Sequence, residues 1–333
     1  MEEFSEVSGI SRPTISKYFN DPSSVRSSTR DRIEQAIKKY DYRPNLFAIN
    51  QNRKLTRNIG IVVPHIVDPF FAEIVRHIET RCIEAGYWAI VLSSHGQAEL
   101  EANALDMLRS LKVAGAIIAP LGQASDEELI HQFASEVPTV LCDSRLDGVG
   151  VFVGTDNFQT IDLIVDYLSR AGDPPCFVEM PPVNANAYER KDAYVRSMER
   201  LGLDPKIIPI VGEGWDFERL GYEQGLRLIA SRELPSNTIL CANDRIAIGM
   251  LAAAYEKGLR VGRGPGSAIR IAGHDDHPLS RFTCPPLTTV SQDYTAIADR
   301  SLHILFDAIE HNDAHIPSSQ VRLEGKLIMR ISA

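Results

Sequence analysis

Val7-Ser8-Gly9-Ile10-Ser11-Arg12-Pro13-Thr14-Ile15-Ser16-Lys17 is the stretch that decides the architecture. Gly9 stops a short helix that begins near Glu2. Ser11 offers a hydroxyl to cap the next helix, and Pro13 stands in its first turn, where a missing N–H costs nothing. This second helix carries Thr14, Ile15, Ser16, Lys17, Tyr18 and Phe19 and ends near Asn20-Asp21-Pro22. A third, over 30–40 and capped by Ser28 or Thr29, has Ile33, Ala36, Ile37 and Tyr40 at i, i+3, i+4 and i+7, which gives it one apolar face. Two short helices about a glycine turn, plus a third, predict a helix-turn-helix domain whose second helix enters a DNA major groove.

Charge supports that direction. The first 58 residues hold eleven Lys/Arg against seven Asp/Glu, while the rest of the 333-residue chain holds 24 against 37. A basic head on an acidic body suits a head that meets nucleic acid. With 44% hydrophobic and 24% charged residues, the chain is not intrinsically disordered. No run approaches the roughly 18–20 apolar residues of a membrane span. MEEFSEVSG lacks the basic and apolar regions of a secretory leader. Cys82, Cys142, Cys176, Cys241 and Cys284 are odd in number and form no C-x-x-C. A disulfide scaffold or zinc ribbon is therefore not expected, and a cytoplasmic location is.

The quoted run, followed by Asn20, Val25, Thr29, Ile33 and Tyr42-x-Pro44-Asn45, resembles the LacI/GalR (lactose-repressor) family of bacterial transcription regulators. The resemblance implies that Arg12, Pro13 and Lys17 read base edges and that Ser11, Thr14, Ser16 and Asn20 contact phosphate. The chemistry agrees: arginine can bond guanine O6 and N7 together, hydroxyls bond phosphate oxygens, and proline offers an apolar contact suited to a thymine methyl. Two departures stand out. Met1 starts almost inside the first helix, where the family has a few preceding residues, so a shortened N-terminus is expected. Residues 45–57 correspond to the hinge helix and linker, and Gln51 occupies the position of the family's minor-groove leucine. An amide is a poor wedge. The expectation is a weaker operator bend, or wedging by Ile49, testable by phased gel mobility.

From Asn58 the rhythm becomes strand–helix alternation. Apolar runs at 59–63, 88–92, 115–119, 139–141, 176–180, 207–210, 238–241, 269–272 and 288–290 read as strands. Helical patterns separate them at 71–85, 99–111, 126–134, 160–170, 188–201, 220–231, 245–257 and 294–310. The predicted fold class is α/β: a three-helix helix-turn-helix head and a body of doubly wound parallel sheets. The resemblance implies two periplasmic-binding-protein-like lobes. The expected division is 1–44 for the head, 45–57 for the hinge, 58–155 with 293–320 for one lobe, and 156–292 with 321–333 for the other.

Ligands of such sheets sit at strand carboxyl ends. There the sequence places Asp68-Pro69-Phe70-Phe71, where the family usually has Asn-Pro-Phe-Phe, then Asp143, Asn243, Gly273-His274-Asp275-Asp276 and Gln292. Carboxylates and amides pair with adjacent hydroxyls, and aromatic rings cover the apolar face of a sugar. The resemblance implies an effector site of Phe70, Phe71, Asp143, Arg190, Trp215, Asn243, Asp275 and Gln292, with Phe217 competing for the role of Trp215. Local capping is the competing reading for Asn243 and Asp68, and the favoured one for Asp244.

The function expected is a ligand-responsive repressor that binds a palindromic operator on double-stranded DNA as a homodimer. Its effector is expected to be a sugar or polyol, with a purine also compatible. No membrane partner or cofactor is expected. Residues 327–333 read as a final strand with no heptad tail after it, so no coiled-coil tetramer is expected. A solute-binding protein would need a secretory leader and no head. A sugar or nucleotide enzyme finds little support. His274-Asp275-Asp276-His277 fixes no third metal ligand, Gly262–Ser267 lacks a P-loop ending, and no G-x-S-x-G appears.

Overall fold

The computed structural model describes residues 2–20, 22–43, 56–146, 148–170, 172–311, 316 and 318–333. The chain forms two compact units, Met1–Thr56 and Arg57–Ala333. Ile49 and Gln51 lie outside the described residues, as do residues 44–55 generally.

The first unit has helices α1 (Glu2–Ser8), α2 (Arg12–Asn20) and α3 (Ser27–Lys39). Gly9 ends α1 with φ of 63°, a backbone state that glycine adopts without a side-chain penalty. Phe4, Ile10, Ile15, Ile33 and Ala36 form the core, and Tyr42 stacks on Phe4 with ring centres 4.0 Å apart. The third helix begins earlier than its sequence pattern suggested. Its N-cap is Arg26, without a side-chain cap bond, and Ser28 and Thr29 lie in its first turn. Val25 is buried and anchors the chain just before it.

The second unit has two parallel sheets that share a cleft, and a two-stranded antiparallel pair. Strands β1 (Asn58–Val63), β2 (Trp88–Ser93), β3 (Gly115–Ile118), β4 (Thr139–Cys142) and β5 (Val151–Thr155) alternate with α4 (Pro69–Glu84), α5 (Ala98–Ser110) and α6 (Glu127–Glu136). The second lobe is built from α7 (Asn157–Arg170), β6 (Cys176–Val178), α8 (Ala185–Arg200), β7 (Ile207–Ile208), α9 (Phe217–Ser231), β8 (Thr238–Cys241), α10 (Asp244–Glu256) and β9 (Arg270–Ala272). The chain then passes through β10 (Thr289–Ser291) and α11 (Tyr294–Glu310) to β11 (Ser319–Leu323) and β12 (Lys326–Ile328).

The first lobe's sheet is six-stranded and parallel, in the order β11-β5-β4-β3-β1-β2. The second lobe has the parallel sheet β7-β6-β8-β9, with the antiparallel pair β10-β12 beside it. Two boundaries differ from expectation. β11 pairs with β5 from Ser319↔Val151 to Leu323↔Thr155, so 321–323 belong to the first lobe rather than the second. Arg57 belongs to the body, where its carbonyl accepts from the Trp88 N–H.

Helices α9 and α10 approach to backbone contact. A Cβ on Gly249 would sit 2.1 Å from the Glu218 carbonyl, and one on Gly221 would sit 2.3 Å from the Ile246 carbonyl. Only glycine fits there, and the close approach brings Glu218 against Arg245 at the cleft.

Candidate functional site

In the head, Ser11, Arg12, Pro13 and Lys17 are exposed, whereas Ile15 between them is fully buried. Helical periodicity explains the split, because Ile15 faces the core and its neighbours turn outward. Arg12 reaches Glu2 at 2.8 Å, with both side chains more than half exposed. The hydroxyls of Ser11 and Thr14 are 2.8 Å apart, and Ser16 is half-buried. The side chain of Asn20 lies outside the described residues.

In the body, the carboxyl ends of β1, β4, β6, β8, β9 and β10 converge on one open cleft, about 480 Å³ with its open solvent space included. Phe70 and Phe71 enter it from the first turn of α4, and Asp143 from the end of β4. Trp215 and Phe217 enter together from the start of α9, so the two aromatics do not exclude each other. Arg190, Asn243, Asp275 and Gln292 complete the set, and all eight residues singled out by sequence line this cleft.

Arg190 and Asp275 are its centre. Arg190 is 4% exposed, and its Nη2 lies 3.0 Å from Asp275 Oδ1. Its Nε donates to Asn157 Oδ1 and its Nη1 to the Ala242 carbonyl. Gln292 Nε2 donates to Asp275 Oδ1 at 2.8 Å, and the Tyr294 hydroxyl donates to the Asp275 carbonyl at 2.6 Å. Burial alone would raise the Asp275 pKa, but Arg190, His274 and Gln292 hold it below the ordinary value. Asp275 has φ of 122°, a left-handed backbone state uncommon for a non-glycine residue. Such strain persists where its surroundings fix it, and here at least four groups do. His274 is fully buried between Asp275 and Thr160, and burial pulls it down to about 4, so it is neutral at pH 7. Among the described residues no His/Cys/Asp/Glu group could hold a metal ion.

Asp143 differs from Asp275. Asn186 donates to its Oδ1 at 3.0 Å, and among the described residues no guanidinium pairs with it directly. Burial pushes it up to about 7, with Arg190 pulling downward and Asp275 upward. Asn243 caps α10 through Ile246 N–H at 2.8 Å, and Asp68 caps α4 through Phe70 N–H at 3.0 Å, yet both also line the cleft. Capping and lining are therefore not alternatives at these positions. Asp244 is not a cap. Fully buried, it accepts from His277 N–H, Ser280 Oγ and Thr289 Oγ1 and ties the β9–β10 loop to α10. A Cβ at Gly273 would meet its carboxylate at 2.1 Å.

Sequence reading missed several lining residues: Asn184, Asn186, Arg245, His277 and Tyr294. Asp68 was legible as one of the strand-end residues and as a cap. Nothing in the local pattern marks Arg245, which reaches across the cleft to Asp68 Oδ2 at 2.8 Å while its Nε and Nη2 hold Glu218. A second tie joins Glu189 of α8 to Arg145 and Arg322 of the first lobe. Trp215 packs against the cores of both lobes, and its ring lies 5.3 Å from that of His65.

Residues 1–45 match the model for bacterial regulatory proteins of the lacI family, and residues 174–333 match a periplasmic binding protein-like domain. An HTH-type transcriptional repressor PurR of Haemophilus influenzae (strain PittEE) is 28% identical over 100% of this chain and 98% of its own length. The ribose operon repressor of Escherichia coli (strain K12) is 27% identical over 93% of this chain and 92% of its own. Among solved structures, the lac repressor dimer bound to operator and the anti-inducer ONPF superposes with a TM-score of 0.85. That match is at 24% identity and covers 99% of this chain and 97% of the other.

Proposed function

The chain belongs to the LacI family of DNA-binding transcription repressors, and from that premise we propose that it binds a palindromic operator as a homodimer and answers to a small polyhydroxylated effector, a sugar or polyol, held in the cleft. It is a regulator rather than an enzyme. Arg12, Pro13 and Lys17 read bases, and Ser11, Thr14, Ser16 and Asn20 hold phosphates. The exposure of the first three on one helix, with Ile15 turned inward, supports this assignment. Two heads related by a two-fold read two half-sites. Ile49 and Gln51 are assigned to the minor groove from the sequence alone. A repressor works on the chromosome, so the cytoplasm is the proposed location.

One observation carries the effector reading: a buried Arg190–Asp275 pair stands among amides and beside the aromatic faces of Trp215 and Phe71. Carboxylate and amide groups accept and donate to adjacent hydroxyls, and rings cover the CH face. The name of the ribose operon repressor points the same way. The flat rings would also admit a purine, and the test separates the two. Purified protein is screened by thermal shift against sugars, polyols, sugar phosphates and purines. A ligand at a hundred times its Kd stabilises the fold by about 2.7 kcal/mol. The expected result is a sugar or polyol hit that Arg190→Ala and Asp275→Ala abolish. A purine hit through the same residues would replace the sugar reading, and a hit indifferent to both variants would remove the cleft from the account.

A further inference from the structure

The cleft is poor in free positive charge. Its lining contains two guanidiniums, Arg190 and Arg245, and three carboxylates, Asp68, Asp143 and Asp275. Every nitrogen of Arg190 faces a protein acceptor: Asn157, the Ala242 carbonyl or Asp275. Every nitrogen of Arg245 does too, with Asp68 on Nη1 and Glu218 on Nε and Nη2 at 2.6–2.8 Å. His277 is held neutral by burial, which lowers its pKa. Helix N-termini attract anions, but at α4, α8 and α10 one N–H of each is already taken by the helix's own cap, Asp68, Asn184 and Asn243, and α9 begins at the acidic Asp216. Acceptors, by contrast, are left over. Among the described residues neither Asp143 Oδ2 nor Asp275 Oδ2 takes a hydrogen bond, and Asp143 has no guanidinium of its own.

We infer that the cleft excludes negative charge: its effector carries hydroxyl or amine donors for Asp143 and Asp275 and no phosphate or carboxylate, and Asp68 and Glu218 enforce this by occupying Arg245. The inference rests on the effector reading above and narrows it to a chemical class. An anion about 5 Å from an uncompensated carboxylate is disfavoured roughly a hundredfold at an effective dielectric of about 20. Partial protonation of Asp143 and ionic screening reduce this, so at least about tenfold discrimination is expected.

Matched probes test it at pH 7.5 and constant ionic strength. Isothermal titration compares ribose with ribose 5-phosphate, and glucose with glucosamine and glucuronate. Inorganic phosphate against chloride in thermal shift serves as a probe that needs no knowledge of the effector. Both are run on the wild-type chain and on Asp68→Asn/Glu218→Gln, with Asp68→Asn alone as the milder variant and circular dichroism to check folding. The expected result is that a neutral or amine-bearing sugar binds the wild type and its acidic counterpart binds at least tenfold more weakly. Phosphate should leave the wild-type Tm unchanged and raise that of the variants, and the sugar discrimination should shrink in parallel. An acidic sugar that binds the wild type as tightly as its neutral partner would overturn the charge filter and leave the hydroxyl reading standing. If no neutral or amine-bearing sugar binds, the hydroxyl reading fails and the filter fails with it.

Discussion

Arg12 and Arg190 show two ways of using the same side chain. Arg12 lies on an exposed helix face, 62% accessible, with one exposed partner in Glu2. Arg190 is enclosed, and its surroundings are themselves interlocked: Asn157 also donates to Asn186 and Glu189, and Asn186 donates to Asp143. An exposed ion pair contributes little by itself, whereas an enclosed charge left without its partner is costly. The head is thus expected to behave as a set of separable contacts and the cleft as one coupled unit.

The largest effect should follow from breaking the coupled unit. Arg190→Ala leaves Asp275 buried without its cation and is expected to destabilise the body by about 3–5 kcal/mol in urea unfolding. Asp275→Ala should cost a similar amount. The double variant should cost less than the sum, with a coupling of about 0.5–3 kcal/mol. Additive losses would show that the pair does not act as a unit. Asp244→Ala, which strands His277 N–H, Ser280 and Thr289, is expected to cost several kcal/mol by the same reasoning.

Next come the separable contacts. Arg12→Ala should weaken operator binding by about 1–3 kcal/mol and relax the preference at one base pair. Combined with Lys17→Ala, the losses should add to within about 0.5 kcal/mol. Fluorescence anisotropy on a panel of single-base operator variants measures both. Marked non-additivity would erase the contrast with the cleft.

The pH dependence is smaller and has a defined sign. Asp143 and Asp244 each keep a proton up to about pH 7 in the folded state, whereas the unfolded chain releases it near its ordinary value. Their contribution is therefore complete below about pH 4 and is lost as pH rises towards 7. His274 acts oppositely, since it stays neutral to about pH 4, and its contribution grows from there towards its ordinary value. Asp143→Asn should remove part of the fall in stability between pH 5 and pH 8 seen by urea unfolding. An unchanged profile would mean that Asp143 is ionised throughout. Glu2→Gln should have the least effect, raising operator affinity by no more than about threefold.

Much of this was legible from residue order. In the body, β1 to β4 and β6 to β10 follow short apolar runs, and that signal survives without any tertiary knowledge. β5 was missed because Val151–Thr155 follows a glycine-containing loop and its apolar run is interrupted by Gly154. β11 was missed because Ser319–Leu323 is an edge strand with polar, half-exposed residues. The cleft divides along a similar line. Residues tied to a local motif, such as Arg190, Asn243 and Asp275, could be placed from sequence. Arg245 could not, because its role depends on Asp68, 177 positions away, and on the glycine contacts that bring α9 against α10.

A ligand in the cleft is proposed to set the affinity of the head for DNA. The most direct test is an operator titration by fluorescence anisotropy with and without a saturating amount of the sugar found by thermal shift, in the wild type and in Asp275→Ala. The sugar is expected to change the wild-type operator Kd by roughly 5–150-fold, equivalent to 1–3 kcal/mol of coupling. The variant should show no such response while still binding the operator. A sugar that binds the wild type and leaves its operator Kd unchanged would contradict this coupling.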